Sequence, residues 1–367
     1  MSGQWGRNIR LSIFGESHGD AVGIIIDGLP SGIIVDKQYI HNEMQRRAPG
    51  KNKLVTSRKE RDNFEILSGV FNDFTTGTPI CAVIKNNNSK SIDYDDIKNL
   101  MRPGHADYTG YMRYSGYNDY RGGGHFSGRL TAPLVFAGAI CKQILERRKK
   151  ITIGSHIKSI GNIVDSNFEV LNVDKELLIK LSKSFLPVIN NKKREEMEEC
   201  IEKAREDKDS VGGVIETAVL NLQAGIGSPY FESLESNLAH IFFSIPGVKG
   251  VEFGEGFNIA KLKGSQANDE FYIKDNKVRT YTNNCGGIQG GISNGMPIIF
   301  RAAIKPTSSI GKIQNTIDVN KKENTIIEIN GRHDPCIVPR AVPVIDAVTA
   351  IVITDLLIDK EGRTRMS

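Results

Sequence analysis

Apolar residues follow two patterns along this chain, alternating or continuous runs that predict strands and one-sided helical spacing that predicts helices. In the first half, strands are predicted at residues 8–14, 21–29, 64–71 and 79–85. Helices are predicted from an N-cap at Asp36 to about Arg46, at residues 93–101, and along the apolar stretch 130–148. The first half therefore mixes both kinds of element.

The second half continues this mixture and contains one segment of different character. Strands are predicted at residues 151–160, 213–222, 248–253 and 297–304, and helices at 233–244 and 340–357. Residues 172–210 hold two helices, of which the second is almost wholly charged, with opposite charges three or four positions apart. We interpret residues 1–367 as a single domain of mixed α/β (α+β) class, with 172–210 as a charged helical outer segment within it.

Two passages resemble each other. Residues 75–80 (Thr-Thr-Gly-Thr-Pro-Ile) lead into a strand that ends at Lys85, and residues 293–298 (Ser-Asn-Gly-Met-Pro-Ile) lead into one that ends at Lys305. The similarity has two explanations, chance or an internal duplication. Duplication predicts a fold with a pseudo-two-fold axis.

Composition and cysteine usage indicate a cytoplasmic globular protein. Of the 367 residues, 25% are charged and 39% are hydrophobic, as is usual for soluble domains. No apolar run reaches the roughly 18 residues that span a bilayer, and the first residues lack the apolar core of a signal peptide. The five cysteines include no Cys-x-x-Cys pair, which argues against disulfides and a zinc site. We expect reduced thiols and no membrane association.

Positive charge is concentrated in one stretch, although the net charge is only +5. Residues 46–61 carry seven Lys or Arg side chains against one acidic residue, Glu60. Such a stretch binds anions, either nucleic acid, an acidic membrane or a small phosphorylated or carboxylated molecule. It contains no aromatic residue for stacking on bases, which argues against single-stranded nucleic acid. A non-enzyme that binds RNA or another polyanion stays open as an alternative.

A glycine-rich loop between Arg102 and Arg129 carries much of the candidate chemistry. Residues 122–124 are consecutive glycines, which allow positive φ and a close approach to a ligand, and Ser127 can cap the next helix. The N–H groups of that helix start, with Arg121 and Arg129, predict an anion site.

Histidine stands beside glycine or charge in three loops, which contain Ser17-His18, His105-x-Asp107 and Arg332-His333-Asp334. Because active sites are often built from loops on a rigid scaffold, we predict that these loops converge. Histidine can give a proton to a departing phosphate near neutral pH. The predicted chemistry is acid–base work on a multiply anionic substrate, which would be held by Arg47, Arg102, Arg129 and Arg332.

A second phosphorylated ligand is also indicated. The glycine-rich residues 283–295, with residues 305–309, can wrap a nucleotide or flavin, although they match neither the dinucleotide-binding nor the Walker spacing. No histidine or cysteine spacing is typical of zinc ligands, so no metal is expected. A different flavin or nucleotide enzyme acting on a phosphorylated acid is the second alternative.

Five motifs in this order resemble the chorismate synthase family, from about residue 7 to 357: Phe14-Gly-Glu-Ser-His18-Gly, Arg102-Pro-Gly-His105-Ala-Asp107, Arg121-Gly-Gly-Gly, Lys305-Pro-Thr-Ser-Ser309 and Gly331-Arg-His-Asp334-Pro-Cys336. The resemblance implies a carbon–oxygen lyase of the shikimate pathway, which serves aromatic amino acid biosynthesis. The reaction is the anti-1,4-elimination of phosphate from 5-enolpyruvylshikimate 3-phosphate to give chorismate. It requires reduced FMN (FMNH2) without net redox change.

The resemblance also implies the architecture and the partners. The expected fold is a sandwich of antiparallel sheets around central helices, and the expected assembly is a homotetramer. No appended reductase domain is recognisable in the sequence. We therefore expect an external flavin reductase to supply reduced FMN.

Position by position, the resemblance assigns roles to residues of this chain. His18 would protonate the departing phosphate, His105 would protonate the reduced flavin near N1 and O2, and Asp334 would help deprotonate flavin N5, which takes the substrate's C6 proton. The substrate-binding residues would be Ser17, Arg47, Arg102, Ser127, Arg129 and Arg332. The FMN-binding residues would be His125, Phe126, Ser127, Pro246, Gly247, Gly290, Lys305, Pro306, Thr307, Ser308, Ser309 and Arg332. Arg47 and Lys53 match places where some members contact NADP.

The chain departs from the family pattern in two places. Many members have Arg-Ser-Ser where this chain has His125-Phe126-Ser127. Ala48 interrupts a run of three arginines that other members have, and Lys53 replaces an arginine of those members. The first departure affects flavin contacts through side chains, whereas contacts through the backbone are expected to persist.

Overall fold

The computed structural model describes residues 3–49, 62–86, 98–329 and 334–364. Its helices are α1 (Lys37–Arg47), α2 (Asp107–Arg113), α3 (Thr131–Ile144), α4 (Lys175–Ser182), α5 (Asn191–Glu206), α6 (Leu234–Phe242), α7 (Gly264–Ala267) and α8 (Val338–Thr364). Its strands are β1 (Gln4–Trp5), β2 (Arg10–Gly15), β3 (Ala21–Asp27), β4 (Phe64–Ser68), β5 (Val70–Phe71), β6 (Phe74–Thr75), β7 (Ile80–Lys85), β8 (Thr152–Ile160), β9 (Ile163–Val164), β10 (Gly213–Leu220), β11 (Val248–Phe253), β12 (Phe271–Lys274), β13 (Lys277–Thr280), β14 (Ile288–Gln289), β15 (Ile292–Ser293), β16 (Ile298–Ile304), β17 (Gln314–Asp318) and β18 (Glu323–Ile327).

Two antiparallel sheets enclose a layer of helices. The first sheet has five strands in the order β1-β2-β3-β7-β4, and the second has five in the order β11-β16-β10-β8-β9. Helix α3 packs on β3 and β7, α8 packs on β8 and β10, and α1 and α6 pack beside them. The predicted α+β class and the sandwich of antiparallel sheets around central helices are confirmed.

The two central helices approach closely at a glycine. A Cβ built on Gly138 of α3 would lie 2.3 Å from the Cβ of Ala347 in α8. A side chain at position 138 would therefore force the helices apart, and the apolar faces of α3 and α8 would lose their contact. This requirement explains a glycine in a helix interior, where it is otherwise unfavourable.

Helix α8 is long and apolar enough to cross a membrane, which the sequence reading missed because Arg340, Asp346 and Asp355 interrupt the apolar run. Inside the fold, 94% of its most apolar stretch is buried, as in a core helix. Its acidic residues have partners. Asp346 accepts hydrogen bonds from Ser155 Oγ (2.6 Å) and Arg46 Nη2 (2.9 Å).

Two sequence-based expectations differ from the structure. The strand predicted over residues 64–71 is divided at Gly69 (φ +80°), where a Cβ would lie 2.6 Å from Ile80 Cα. Only a glycine fits this turn beside β7. The helix predicted over residues 93–101 falls largely outside the described residues, and its last part is a turn with a β-bridge from Leu100 to Asp318.

The two sheets share a strand order, because β2-β3-β7-β4 corresponds to β8-β10-β16-β11. Hydrogen bonds also repeat. Thr75 Oγ1 accepts from Ile33 N (2.9 Å) and donates to Pro30 O (2.6 Å). In the other sheet, Ser293 Oγ accepts from Ile226 N (2.9 Å) and donates to Gln223 O (2.7 Å). These correspondences favour duplication over chance for the similar passages, although the pseudo-two-fold axis itself stays a prediction.

The outer face of the second sheet is covered by residues that precede and form α4. Leu178 and Leu181 of α4 pack with Phe168 and with Leu220 of β10. The charged helix α5 buries only one side, which includes Met197 and Ile201. The assignment of residues 172–210 as an outer segment within a single domain stays an interpretation.

A buried charge cluster joins this cover to the sheet. His156 Nε2 lies 2.9 Å from Glu216 Oε2 and Nδ1 lies 3.4 Å from Asp165 Oδ2. Arg301 contacts Glu216 on the other side at 3.2 Å. Burial alone would lower the pKa of His156, but the two carboxylates raise it above its ordinary value. The raised pKa favours the charged form of His156, which lies between Glu216 of the sheet and Asp165 of the cover.

We expect Glu216→Gln to lower the free energy of unfolding by about 3–5 kcal/mol near pH 6, because a buried ion pair loses one partner. The raised pKa of His156 means that its charged form stabilises the fold fully below about pH 6.5, its unfolded value. This contribution is lost as the pH rises through the folded value. In urea unfolding from pH 6 to 9, the difference in the free energy of unfolding between wild type and variant should therefore become smaller as the pH rises.

Glu252→Gln is the matched control, because Glu252 pairs with the same Arg301 (2.7 Å) but its side chain is 32% exposed. We expect a smaller loss of stability that stays constant across this pH range. If both variants lose equal stability at every pH, His156 is not charged in the folded protein.

Candidate active site

A cleft of about 630 Å³ lies where four loops meet near the start of α8. Among the described residues that line it, the only carboxylate is Asp334, and the basic side chains are His105, His125, Arg102, Arg129, Lys249, Lys305 and Arg340. Burial and the charge of Lys249 lower the pKa of Lys305 from its ordinary value. The cleft is therefore strongly positive and suits a ligand with several negative groups.

The glycine triplet forms one wall of this cleft and lies against two histidines. Gly122, Gly123 and Gly124 all have positive φ, of 57°, 85° and 52°. A Cβ on Gly122 would lie 2.1 Å from His18 Cε1, and one on Gly123 would lie 3.1 Å from His105 Cε1. The glycines therefore let rings from two distant loops approach neighbouring residues of the same wall.

His18 is buried, and its ring forms a hydrogen bond with the Ser17 hydroxyl. Ser17 Oγ lies 2.9 Å from His18 Nδ1, 3.2 Å from Arg121 O and 3.1 Å from Gly122 O. A hydroxyl has one hydrogen, and carbonyl oxygens only accept. The hydroxyl can therefore donate to one of the two carbonyls and accept from His18 Nδ1–H.

His105 shares a carboxylate with Arg102. Asp107 Oδ1 lies 2.7 Å from His105 Nδ1, while Arg102 donates from Nε to Asp107 Oδ2 at 2.6 Å and from Nη2 to Oδ1 at 2.8 Å. Burial alone would raise the pKa of the Asp107 carboxyl, but His105 and Arg102 hold this pKa well below its usual range. Asp107 is therefore ionised at neutral pH.

A second aspartate, Asp62, joins two arginines beneath the cleft. Its carboxylate is fully buried and accepts from Arg47 Nη2 at 2.6 Å and from Arg129 Nη1. Burial alone would raise the pKa of Asp62, but both guanidiniums hold it below its ordinary value. Sequence reasoning missed this residue. The only signal was an acid directly after a stretch of basic residues.

Asp334 is held from two sides. Arg340 of α8 donates from Nη1 to Asp334 Oδ2, and Thr307 Oγ1 donates to the Asp334 carbonyl (3.0 Å). Arg340 Nε also donates to Arg47 O (3.1 Å). Burial lowers the pKa of Arg340, and the Asp334 charge acts in the opposite direction. These contacts tie residues 305–309 to the start of α8.

The departure at His125 and Phe126 is accommodated by local packing. His125 Nδ1 lies 2.9 Å from Gly15 O, so this ring bonds to the end of β2. The Phe126 ring packs against Tyr114 (centroids 6.2 Å apart) and against Gly110, where a Cβ would lie 2.7 Å from the ring. Both residues still line the cleft.

Comparison with known proteins identifies the family. The profile described as chorismate synthase matches residues 9–358. A protein of Dehalococcoides mccartyi named chorismate synthase is 47% identical, over 97% of this chain and 96% of the relative. One of Methanocaldococcus jannaschii with the same name is 48% identical, over 96% of each. The chain belongs to the chorismate synthase family. A crystal structure of a chorismate synthase agrees, with a TM-score of 0.77 at 32% identity over 98% of this chain and 94% of that one.

The cleft brings together most of the residues that the resemblance to the chorismate synthase family selects. Those lining it are Arg102, His105, His125, Phe126, Ser127, Arg129, Pro246, Gly247, Lys305, Pro306, Thr307, Ser308, Ser309 and Asp334. His18 and Ser17 lie against Gly122 of its wall. Their roles in binding and catalysis stay predictions.

The remaining selected residues are placed elsewhere or not described. Arg47 is 2% exposed and its guanidinium contacts Asp62, Gly128 O and Thr131, so it supports the wall from beneath. Gly290 lies between β14 and β15 and is not among the described lining residues. Lys53 and Arg332 lie outside the described residues. Ser127 accepts from Arg129 N and caps a short turn, Gly128–Leu130, instead of α3 itself.

We expect Gly122→Ala to lower kcat roughly tenfold to a hundredfold, because the new methyl group overlaps the His18 ring and small displacements of catalytic groups have effects of this size. The left-handed conformation of residue 122 adds about 1–2 kcal/mol of destabilisation for alanine. Steady-state kinetics and thermal unfolding measure the two effects.

Gly264→Ala is the control. A Cβ there would meet no atom within 4 Å, and Gly264 starts α7. A Gly122→Ala enzyme with unchanged kcat would show that the observed position of His18 is not needed for turnover.

Proposed function

We propose that this protein catalyses the anti-1,4-elimination of phosphate from 5-enolpyruvylshikimate 3-phosphate to give chorismate, with reduced FMN bound beside the substrate. The observation that supports it best is the convergence of all five family motifs at one positive cleft. The motifs contribute His18 behind Gly122, then Arg102, His105, the 305–309 loop and Asp334.

The cleft suits FMN in size and in the chemistry of its wall. Its volume of about 630 Å³ falls in the range usual for small-molecule sites. Lys305 and the hydroxyls of Thr307, Ser308 and Ser309 offer donors for a phosphate, while Phe126, Ile245 and Pro246 offer apolar surface for a ring system. When bound, reduced FMN supplies an electron-rich ring and, at N5, an acceptor for the substrate's C6 proton.

The arginines supply fixed positive charge where the substrate carries negative charge. Arg102 and Arg129 line the cleft, and their carboxylate partners hold each guanidinium in one orientation. Each charge-assisted hydrogen bond to the substrate contributes about 1.5–3 kcal/mol. Arg102 and Arg129 therefore orient the phosphate and carboxylates before any bond breaks.

Three residues handle protons. His18 donates from Nε2 to the departing phosphate, and Ser17 keeps the ring oriented through Nδ1. His105 would hold a proton on the side of the flavin's N1 and O2, and Asp334 would accept a proton on the side of N5. Arg340 holds the Asp334 carboxylate in place.

We also propose a cytoplasmic location and an external source of reduced FMN. All five cysteines are free thiols in the structure, as is usual in a reducing compartment. Because the reaction has no net redox change, it does not itself reduce FMN, and we assign that reduction to a separate flavin reductase.

The decisive experiment is anaerobic. Protein with chemically reduced FMN is mixed with 5-enolpyruvylshikimate 3-phosphate, and phosphate release and chorismate absorbance are followed. We expect product only when FMN is reduced. Phosphate release with oxidised FMN or without flavin would contradict the proposal, and so would flavin binding without any product.

We expect His18→Ala to lower kcat by about 10²–10⁴, the usual contribution of general acid–base catalysis, with little change in the affinity for FMN. Rapid kinetics and flavin fluorescence measure these quantities. His240→Ala is the control, because His240 lies on α6 outside the cleft. Wild-type turnover by His18→Ala would remove His18 from the mechanism.

We propose a homotetramer in which other copies cover the outer face of the first sheet. Phe14 and Ile25 lie on that face and are 39% and 40% exposed, and Leu67 at the sheet edge is 57% exposed. The corresponding face of the second sheet is already covered by α4. The uncovered apolar surface is typical of an interface between subunits.

We expect Ile25→Glu to dissociate the tetramer into smaller species, because a carboxylate would be buried without a partner in the interface. Light scattering coupled to size-exclusion chromatography gives the mass. Ile25→Val should leave the mass unchanged. A tetramer that persists in Ile25→Glu would place the interface on another surface.

A further inference from the structure

Asp107 occupies an unusual position behind the cleft wall, because its one carboxylate contacts both a candidate acid, His105, and a candidate substrate-binding arginine, Arg102. The side chains of Arg102, His105 and Asp107 are 7%, 17% and 12% exposed. All three are therefore largely withdrawn from solvent, where hydrogen bonds between charged groups are strong.

The local fold brings this carboxylate under the loop. Gly104 takes a positive φ of 68°, His105 N donates to Arg102 O at 3.2 Å, and the chain then enters α2 at Asp107. Arg102 N donates to Asp107 Oδ2 at 3.1 Å and closes the turn. The spacing of five residues from Arg102 to Asp107 is therefore fixed by a compact turn that points the acid back at both partners.

The hydrogen bond to His105 has a defined direction. An ionised carboxylate can only accept, so the hydrogen lies on His105 Nδ1. The other nitrogen, Nε2, lies on the side of Gly123, where a Cβ would be 3.2 Å away, and Gly122 and Ser127 beside it line the cleft. Nε2 is therefore the nitrogen through which His105 can exchange a proton on the side of the cleft.

We propose that Asp107 is a positioning residue, which holds His105 with Nδ1–H on its carboxylate and Nε2 towards the cleft while it fixes the direction of the Arg102 guanidinium. The kinetic consequences rest on the proposed function, but the state of the His105 ring does not. Asp107 accounts for the third polar residue of the Arg102–Asp107 motif, to which the resemblance assigns no role.

The ring state can be measured directly in the full-length protein. With ¹⁵N-labelled histidine, long-range ¹H–¹⁵N NMR distinguishes the two neutral tautomers, and His105→Gln assigns the signal. We expect the Nδ1–H tautomer for His105 in the wild type. In Asp107→Asn, the amide N–H₂ can donate to an unprotonated Nδ1, so we expect a shift towards the Nε2–H tautomer. An Nε2–H ring in the wild type, or no shift in the variant, would overturn the proposal.

A double-mutant cycle tests whether Asp107 acts through His105. We expect Asp107→Asn to lower kcat roughly tenfold to a thousandfold, within the contribution of proton transfer itself. In a His105→Gln background, the same substitution should cost less than about threefold, because residues that act as one unit are not additive. Equal losses of kcat in both backgrounds, or a rise in KM alone, would show that Asp107 acts through Arg102 or only on folding. Either result would overturn its role at His105.

Asp346→Asn controls for the loss of a buried carboxylate, because Asp346 pairs with Arg46 outside the cleft and its side chain is 1% exposed. We expect a lower unfolding midpoint and an unchanged kcat. A loss of kcat equal to that of Asp107→Asn would attribute both effects to general destabilisation and would overturn the proposal. If the wild type makes no chorismate, the proposed function fails, and the NMR measurement still decides the role of Asp107.

Discussion

Burial of arginine is the constraint on which the cleft depends. A guanidinium cannot leave water without a carboxylate partner unless several kcal/mol of stability are lost. Arg47 and Arg129 therefore share Asp62, and Arg340 pairs with Asp334. Each pair also fixes the direction of the guanidinium. Pairing thus gives a positive wall that is ordered before a ligand arrives.

The sandwich places these partners together from distant parts of the chain. Asp62 precedes β4 of the first sheet, whereas Asp334 precedes α8, which packs on the second sheet. Arg340 then connects the two groups, because its guanidinium reaches Asp334 and the carbonyl of Arg47. A change in the packing of α8 would consequently move both walls of the cleft. Close contact of α3 and α8 at Gly138 is therefore a requirement of the site as well as of the core.

Sequence patterns predicted the class and most elements, because these depend on local spacing, whereas the resemblance to the chorismate synthase family selected most members of the cleft. Asp36 caps α1 as predicted, with its carboxylate accepting from Tyr39 N at 3.0 Å. What the sequence could not indicate depends on partners that are distant along the chain. Asp62 has a role only because the fold brings Arg129 beside it. Arg47 is buried for the same reason, since it pairs with Asp62. The break at Gly69 likewise depends on the neighbouring strand β7.

The substitutions at His125 and Phe126 show how such a site tolerates change. Phe126 needs the space above Gly110, since a side chain there would strike its ring. His125 bonds to Gly15 O at the end of β2, three residues before His18. The two side chains therefore tie the glycine wall to α2 on one side and to the Ser17-His18 turn on the other. These contacts hold the backbone from residue 122 to 127 in one conformation. A flavin contact made through this backbone does not require the arginine and serine that many relatives carry at these positions.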